Sequence, residues 1–204
     1  NDYNFHKQYN DRIINNLYFD SKDFKAFNDN LSGSSVRFKT RYRWYEDKSI
    51  SSDKANKGNL EFKFKKNIFG YKKIFNVDDL VISNNIDWKT IKKKISQSLT
   101  KEYKILFEKN SEQILINQYN REYFISSNRK IRVTLDSNIK IFDQMRSIDK
   151  PNFSRKSFSQ DYIVVEFKTN KSDGKFLKNL KLNLPIKASR NSKYVNGIRS
   201  ITGI

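Results

Sequence analysis

Four cations occupy every second position of one short segment. In Val36–Tyr45 they are Arg37, Lys39, Arg41 and Arg43, and they alternate with Phe38, Thr40, Tyr42 and Trp44. On a strand, side chains alternate between two faces, so this spacing predicts one cationic face and one mostly apolar face. The same division recurs along the chain. Glu61, Lys63 and Lys65 oppose Phe62 and Phe64, and Arg132, Thr134 and Asp136 oppose Ile131, Val133 and Leu135. Glu166 and Lys168 share a face with Val164, opposite Val165 and Phe167, and Arg121 shares one with Tyr119 and Tyr123. A guanidinium binds two oxygens at once through its planar fork, so Arg-rich rows with few carboxylates suit a ligand rich in anionic oxygens, above all phosphate. Two arrangements satisfy the pattern. The charged rows either form the wet face of an open antiparallel sheet or line a shared interior, and Arg41, Arg43, Lys63, Arg132, Glu166 and Lys168 are then the inward candidates.

Composition narrows the chemistry. The chain has 204 residues, with 41 Lys plus Arg against 22 Asp plus Glu, a net charge of +19. Such a surplus calls for an anionic partner: nucleic acid, an anionic membrane surface or phosphorylated molecules. Aromatic residues at 14% argue against a disordered basic tail. The absence of Cys excludes a disulfide scaffold, a thiolate zinc site and a Cys nucleophile, and the single His, His6, leaves no His-based metal cluster. No apolar run approaches the length of a membrane-spanning helix. The length fits one domain over residues 1–204. The first residue is Asn rather than Met, so an N-terminal part is expected to be missing.

Elements must position these rows. Arg12–Phe19 reads as a strand, and Ser21–Asn30 as a short helix that Ser21 could cap. Val36–Tyr45, Leu60–Lys66 and Tyr71–Val77 read as strands, the last two joined by a turn at residues 67–70. Ile86–Lys109 reads as one helical region, with Lys92, Lys93 and Lys94 on a wet face. Further strands are expected at Ile114–Ile125, Lys130–Leu135 and Asp161–Thr169, a short helix at Phe176–Leu182, and irregular chain through Arg190–Tyr194. The sum is a β-rich α+β chain of antiparallel hairpins without βαβ alternation.

Several ordered motifs resemble the VTC domain, the polyphosphate polymerase member of the triphosphate tunnel metalloenzymes (CYTH-like superfamily). They are Asn16-Leu-Tyr-Phe-Asp20, Arg41-Tyr-Arg-Trp-Tyr45, Leu60-Glu-Phe-Lys63, Tyr119-Asn-Arg121, Arg132-Val-Thr-Leu-Asp136, Val165-Glu-Phe-Lys168 and Ser192-Lys-Tyr194. The resemblance implies an antiparallel β-barrel tunnel with a charged lumen and flanking helices. It marks Arg41, Arg43, Lys63, Arg121, Arg132 and Lys193 as catalytic phosphate ligands. Lys39, Lys65, Lys72 (or Lys73), Lys168, Arg190, Ser192 and Tyr194 become further substrate contacts. Glu166 matches the metal-binding glutamate and Glu61 is a second candidate, for a divalent cation such as Mn2+ or Mg2+. The family begins with a further tunnel strand that residues 1–11 do not supply.

The implied activity is a metal-dependent polymerase that transfers the γ-phosphate of a nucleoside triphosphate such as ATP to a growing polyphosphate chain. The alternatives are a tunnel-fold triphosphatase acting on nucleoside triphosphate or tripolyphosphate, and a non-catalytic polyphosphate-binding module. The expected partners are nucleoside triphosphate, polyphosphate or pyrophosphate rather than nucleic acid, and the expected location is cytoplasmic, including the periphery of a membrane. Among single residues, Asp136 reads equally as a turn cap or a ligand at a strand end, and Tyr42 and Trp44 read as core.

Overall fold

The computed structural model describes residues 4–46, 58–67, 69–156, 162–182, 184 and 189–203. Its centre is a seven-stranded, fully antiparallel sheet in the order β4-β3-β2-β1-β5-β6-β7. The strands are β1 (Phe5–Asp20), β2 (Val36–Glu46), β3 (Gly58–Lys66), β4 (Phe69–Val77), β5 (Glu112–Ser126), β6 (Ile131–Asp143) and β7 (Val164–Thr169). The helices are α1 (Lys25–Leu31), α2 (Trp88–Gln97), α3 (Lys101–Glu108), α4 (Gly174–Leu182) and α5 (Lys193–Thr202). No described helix is long and apolar enough to cross a membrane.

The apolar rows of the strands carry the main core. Leu17 and Phe19 of β1, Tyr42 and Trp44 of β2, Leu60 and Phe62 of β3 and Ile116 of β5 pack with Trp88, Ile91 and Ile95 of α2 and Phe107 of α3. Tyr42 and Trp44 are thus core residues, as their position opposite the Arg row implied, and the Tyr42 hydroxyl donates to the Leu80 carbonyl. Gly58 faces this cluster, where a Cβ would fall 2.0 Å from the Tyr42 hydroxyl. On the other face a second cluster joins Ile14, Tyr18, Leu115, Tyr119 and Ile141 to Tyr194 and Ile198 of α5 and Ala26 of α1. Gly197 sets that contact, because a Cβ there would come within 2.7 Å of Leu115 Cδ2.

The sheet is curled. Lys63 on β3 and Glu166 on β7 are five strand spacings apart, about 24 Å if the sheet were flat. Yet the charges of Glu166 and Lys168 act on Lys63. Lys171, just past β7, brings its ammonium 5.9 Å from the ring centre of Phe69 at the start of β4. The two edge strands are therefore drawn toward each other, although no hydrogen-bonded pair joins β4 to β7 among the described residues.

Several elements differ from the sequence expectation. β1 starts at Phe5, because register irregularities between Lys7 and Tyr9 and between Tyr9 and Arg12 hide the alternation of residues 5–11 while pairing with β5 continues. Residues 86–109 form two helices, broken around Ser98–Thr100, where Ser98 bonds back to the Lys94 carbonyl. β6 continues past Leu135 to Asp143, so Asp136 lies inside a strand and caps no turn. The chain after Ser192 is helical rather than irregular: Ser192 accepts from the Val195 amide, and Tyr194, Val195 and Ile198 are buried on one side. At α1 the principal cap is Asp20, whose carboxylate accepts from the Ala26 and Phe27 amides, while Ser21 accepts from Lys25. Asp161 lies outside the described residues, and β7 is assigned from Val164.

Candidate functional site

Cross-strand register decides which side chains meet. Arg41 pairs with Tyr18 on one side and Glu61 on the other; Arg43 pairs with Asn16 and Asn59, and Lys39 with Lys63, which in turn pairs with Lys72. Directly opposed residues share a face. Further across the sheet, Arg121 opposes Asp136, Thr134 opposes Glu166, and Arg132 opposes Lys168. Lys39, Arg41, Arg43, Glu61, Lys63, Lys65, Lys72, Arg121, Arg132, Glu166 and Lys168 therefore lie on the same, concave face. Lys73 points the other way, toward the Phe75 ring.

Buried carboxylates hold some of these cations in place. Glu61 accepts from Arg41 Nε at 2.7 Å and pairs with Arg41 Nη2 at 2.5 Å, while its second oxygen takes Lys72 at 3.2 Å. Asp136 accepts a fork from Arg121, at 2.5 and 2.7 Å, and Lys193 at 2.5 Å. Burial alone would raise both carboxyl pKa values; Arg41, Arg43 and Lys72 for Glu61, and Arg121 and Lys193 for Asp136, overcome it and hold both below the ordinary range. Arg43 donates Nε to Asn16 Oδ1, and Asn16 donates to Asn117 at 2.8 Å in a buried amide pair. A guanidinium has five N–H groups, so each clamped Arg keeps donors for a ligand. Among the described residues, Lys63 and Arg132 have no carboxylate ion-pair partner.

The N-terminal end of α5 enters this concave face. Lys193 meets Asp136 and also lies 4.8 Å from the Tyr119 ring centre. Ser192 accepts from Lys39 Nζ at 2.9 Å. Tyr194, expected to contact substrate, is instead buried: its ring stacks on Tyr18 with centroids 5.1 Å apart, and its hydroxyl donates to Asp20. Asp20 thereby ties α1, β1 and α5 together. Arg190 is exposed ahead of α5, with Nη1 beside Gly33. The sequence expectation left Asp20, Asn16, Asn117 and Tyr18 without roles. Their polar types amid buried strand positions were the available signal.

Tyr18 is 6% exposed, which pushes its phenol pKa up, but Arg41 and Arg43 outweigh burial and lower it. Lys39 is lowered to about 8, chiefly by burial and then by Lys63, Arg37 and Arg41. A bound polyanion favours the ammonium, so above about pH 8 binding takes up a proton and affinity falls as pH rises. The linkage to folding has the opposite sense, because the unfolded chain keeps this proton up to about 10.5, and stability from this group rises with pH between about 8 and 10.5. Calorimetric titration of tripolyphosphate against pH is expected to show the affinity loss, and Lys39→Met to flatten it. An unchanged slope in the variant would assign the titration to another group.

The donor set for a metal is sparse. Among the described residues no group of three His, Cys, Asp or Glu could hold an ion alone. Both Glu61 oxygens are engaged by cations. Glu166 is half-exposed on the concave face, and its ion-pair partner is its neighbour Lys168 at 3.2 Å. One carboxylate fits a hard divalent cation whose other ligands are phosphate oxygens and water.

The sequence model of the VTC domain matches residues 1–202. No curated protein matches the chain by sequence. Among solved structures, a putative adenylyl cyclase from Hippeastrum, described as having a dominant triphosphatase activity, superimposes with a TM-score of 0.51 at 15% identity; the match covers 95% of this chain and 84% of that one. That likeness establishes a shared fold.

Proposed function

The chain belongs to the VTC domain family, and from that premise we propose that it is a metal-dependent polyphosphate polymerase using a nucleoside triphosphate as donor. The observation that carries the reading is the division of labour on the concave face. Glu61 and Asp136 are locked in ion pairs with lowered pKa values, while Arg41, Arg43, Lys63, Arg121, Arg132 and Lys193 converge from four strands and a helix end. Phosphoryl transfer depends on positioning and on neutralising charge more than on a protein nucleophile. In the polymerase step, a terminal oxygen of the polyphosphate chain attacks the γ-phosphorus, the bond to the β–γ bridging oxygen breaks, and a nucleoside diphosphate leaves. The attacking oxygen is already anionic, so no proton has to be removed, which suits a face where the ion-paired carboxylates Glu61 and Asp136 are unavailable as bases.

Arg41 and Arg43 sit side by side on β2 to hold the donor phosphates. Lys63 and Arg132, free of carboxylate ion pairs among the described residues, serve the transferring group, and Lys193 and Arg121, oriented by Asp136, hold the acceptor chain. Lys39, Lys65, Lys72, Lys168, Ser192 and Arg190 extend the cationic surface to either side. Glu166 is the residue that would hold the divalent cation. That ion, Mn2+ or Mg2+, would supply Lewis-acid polarisation of the phosphoryl group when bound.

Hydrolysis is the second reading, favoured by the triphosphatase activity described for the Hippeastrum protein. It requires a base for water, and Glu166 is the available carboxylate. The two separate by product: incubation with ATP and Mn2+ is expected to yield polyphosphate that stains on a gel together with ADP. Release of inorganic phosphate without polymer would reject the polymerase in favour of the hydrolase. Binding of polyphosphate with no turnover would leave a binding module.

A further inference from the structure

The cation row of β2 runs past Lys39 to Arg37, which pairs with Lys65, and Lys65 in turn faces Gly70 on β4. At this rim lies a cavity of about 500 Å³, lined among others by Arg37, Lys65, Phe64, Phe69, Tyr71 and Lys171. The Phe64 and Tyr71 rings stack with centroids 4.5 Å apart and planes 12° from parallel. Phe69 and Tyr71 are 66% and 61% exposed. The register puts these rings on the convex side of the edge and Arg37 and Lys65 on the concave side, and Gly70 leaves the rim between them without a side chain.

We propose that this rim pocket is the base subsite for a nucleoside triphosphate whose phosphates lie on the concave cation row. The inference rests on the phosphate-site reading above and adds what holds the rest of the donor. The volume suits a small molecule, whereas a stable protein partner needs about 800 Å² from each side. Flat exposed rings offer π-faces to a base, and stacking of this kind tolerates any base. The surrounding cations match a ligand that is planar at one end and anionic at the other. From Arg37 to Arg41 the strand advances about 14 Å, comparable with the reach from a nucleobase to its γ-phosphate. Among the described lining residues there is no Asn, Gln, Asp or Glu to read a base edge, and with the cations engaged along the phosphates, stacking sets the affinity, so adenine and guanine bind comparably.

Calorimetry of ATP, GTP and tripolyphosphate against the wild type, Tyr71→Ala and Phe69→Ala tests this. Both nucleotides are expected to bind with similar affinity, each variant to weaken them about tenfold, and tripolyphosphate to bind all three proteins equally. Unchanged ATP affinity in both variants overturns the proposal, as does equal loss of ATP and tripolyphosphate. Vesicles of phosphatidylserine and phosphatidylcholine that bind the wild type but not the variants, with ATP unaffected, would overturn it in favour of a membrane surface. If the wild type binds neither tripolyphosphate nor ATP, the phosphate-site reading itself fails. If it binds tripolyphosphate but the variants leave ATP untouched, only the base subsite fails.

Discussion

Asp136→Asn is expected to lower the melting temperature on the order of 10 °C and to make the protein unusually dependent on a polyanion for stability. The Asp136 side chain is 1% exposed and satisfies Arg121 through a fork and Lys193 through a second oxygen contact. Asn preserves the shape but removes the charge that both cations require. Breaking a buried pair by removing one partner costs about 3–5 kcal/mol, and about 2–4 °C of melting temperature accompanies each kcal/mol at this size. The pH dependence follows from the same pair. Asp136 is held below its unfolded pKa, so its contribution is present above about pH 4 and is lost as pH falls through the folded value. The second half of the prediction separates a structural carboxylate from one that serves a phosphate site. In the wild type, a polyanion competes with Asp136 for Arg121 and Lys193. In Asp136→Asn it supplies the missing charge. Tripolyphosphate is therefore expected to raise the variant's melting temperature more than the wild type's in differential scanning fluorimetry. An equal or smaller rise would mean that these two cations do not face the ligand.

The same carboxylate shows where sequence reading reaches its limit. The strands carrying the Arg and Lys rows were legible because alternation of charge and aromatic residues over Val36–Tyr45 and Leu60–Lys66 has one geometric solution. The concave grouping of Arg41, Arg43, Lys63 and Arg132 follows from that alternation once antiparallel register is imposed. Register itself is not local. Nothing near Asp136 announces Arg121 opposite it or Lys193 arriving from a helix 57 positions later, so it read equally as a cap or a ligand. Glu61 was placed on the correct face, but its two cations come from neighbouring strands, and only pairing shows both oxygens occupied. α5 is not legible in the sequence because its helical signal is short and begins inside the Ser192-Lys-Tyr194 motif. Its capping Ser192 and apolar Tyr194, Val195 and Ile198 were the available cue. The long β1 was hidden by bulges, which break period two without breaking the ladder. The sequence reads residues 86–109 as one helix because apolar periodicity does not report the break around Ser98–Thr100.

Glu166→Gln and Glu61→Gln are expected to fail in opposite ways, although both remove one carboxylate from the same concave face. Glu166 is 46% exposed at its side chain and pairs with Lys168, itself 52% exposed. A pair this wet contributes about 0–1 kcal/mol, so Glu166→Gln should melt within a degree or two of the wild type. Its effect falls on turnover. If this carboxylate holds the divalent cation, its loss removes several kcal/mol of charge stabilisation from the transition state, about 100-fold or more in rate, and the metal concentration needed for half-maximal activity rises. Tripolyphosphate affinity without metal should hold or increase, because a negative charge has left a cationic face. Glu61 presents the reverse case. Its side chain is 5% exposed and closes on Arg41 and Lys72, so Glu61→Gln strands two cations and costs stability on the scale of a broken buried pair, about 3–5 kcal/mol. Its residual activity, measured below the lowered melting temperature, should keep the wild-type metal requirement. Metal titrations of turnover in the two variants, read beside their melting curves, distinguish the roles. A Glu166→Gln protein that retains wild-type turnover at the same Mn2+ concentration would remove Glu166 from the metal site, and a Glu61→Gln protein with unchanged stability but a raised metal requirement would put Glu61 there instead.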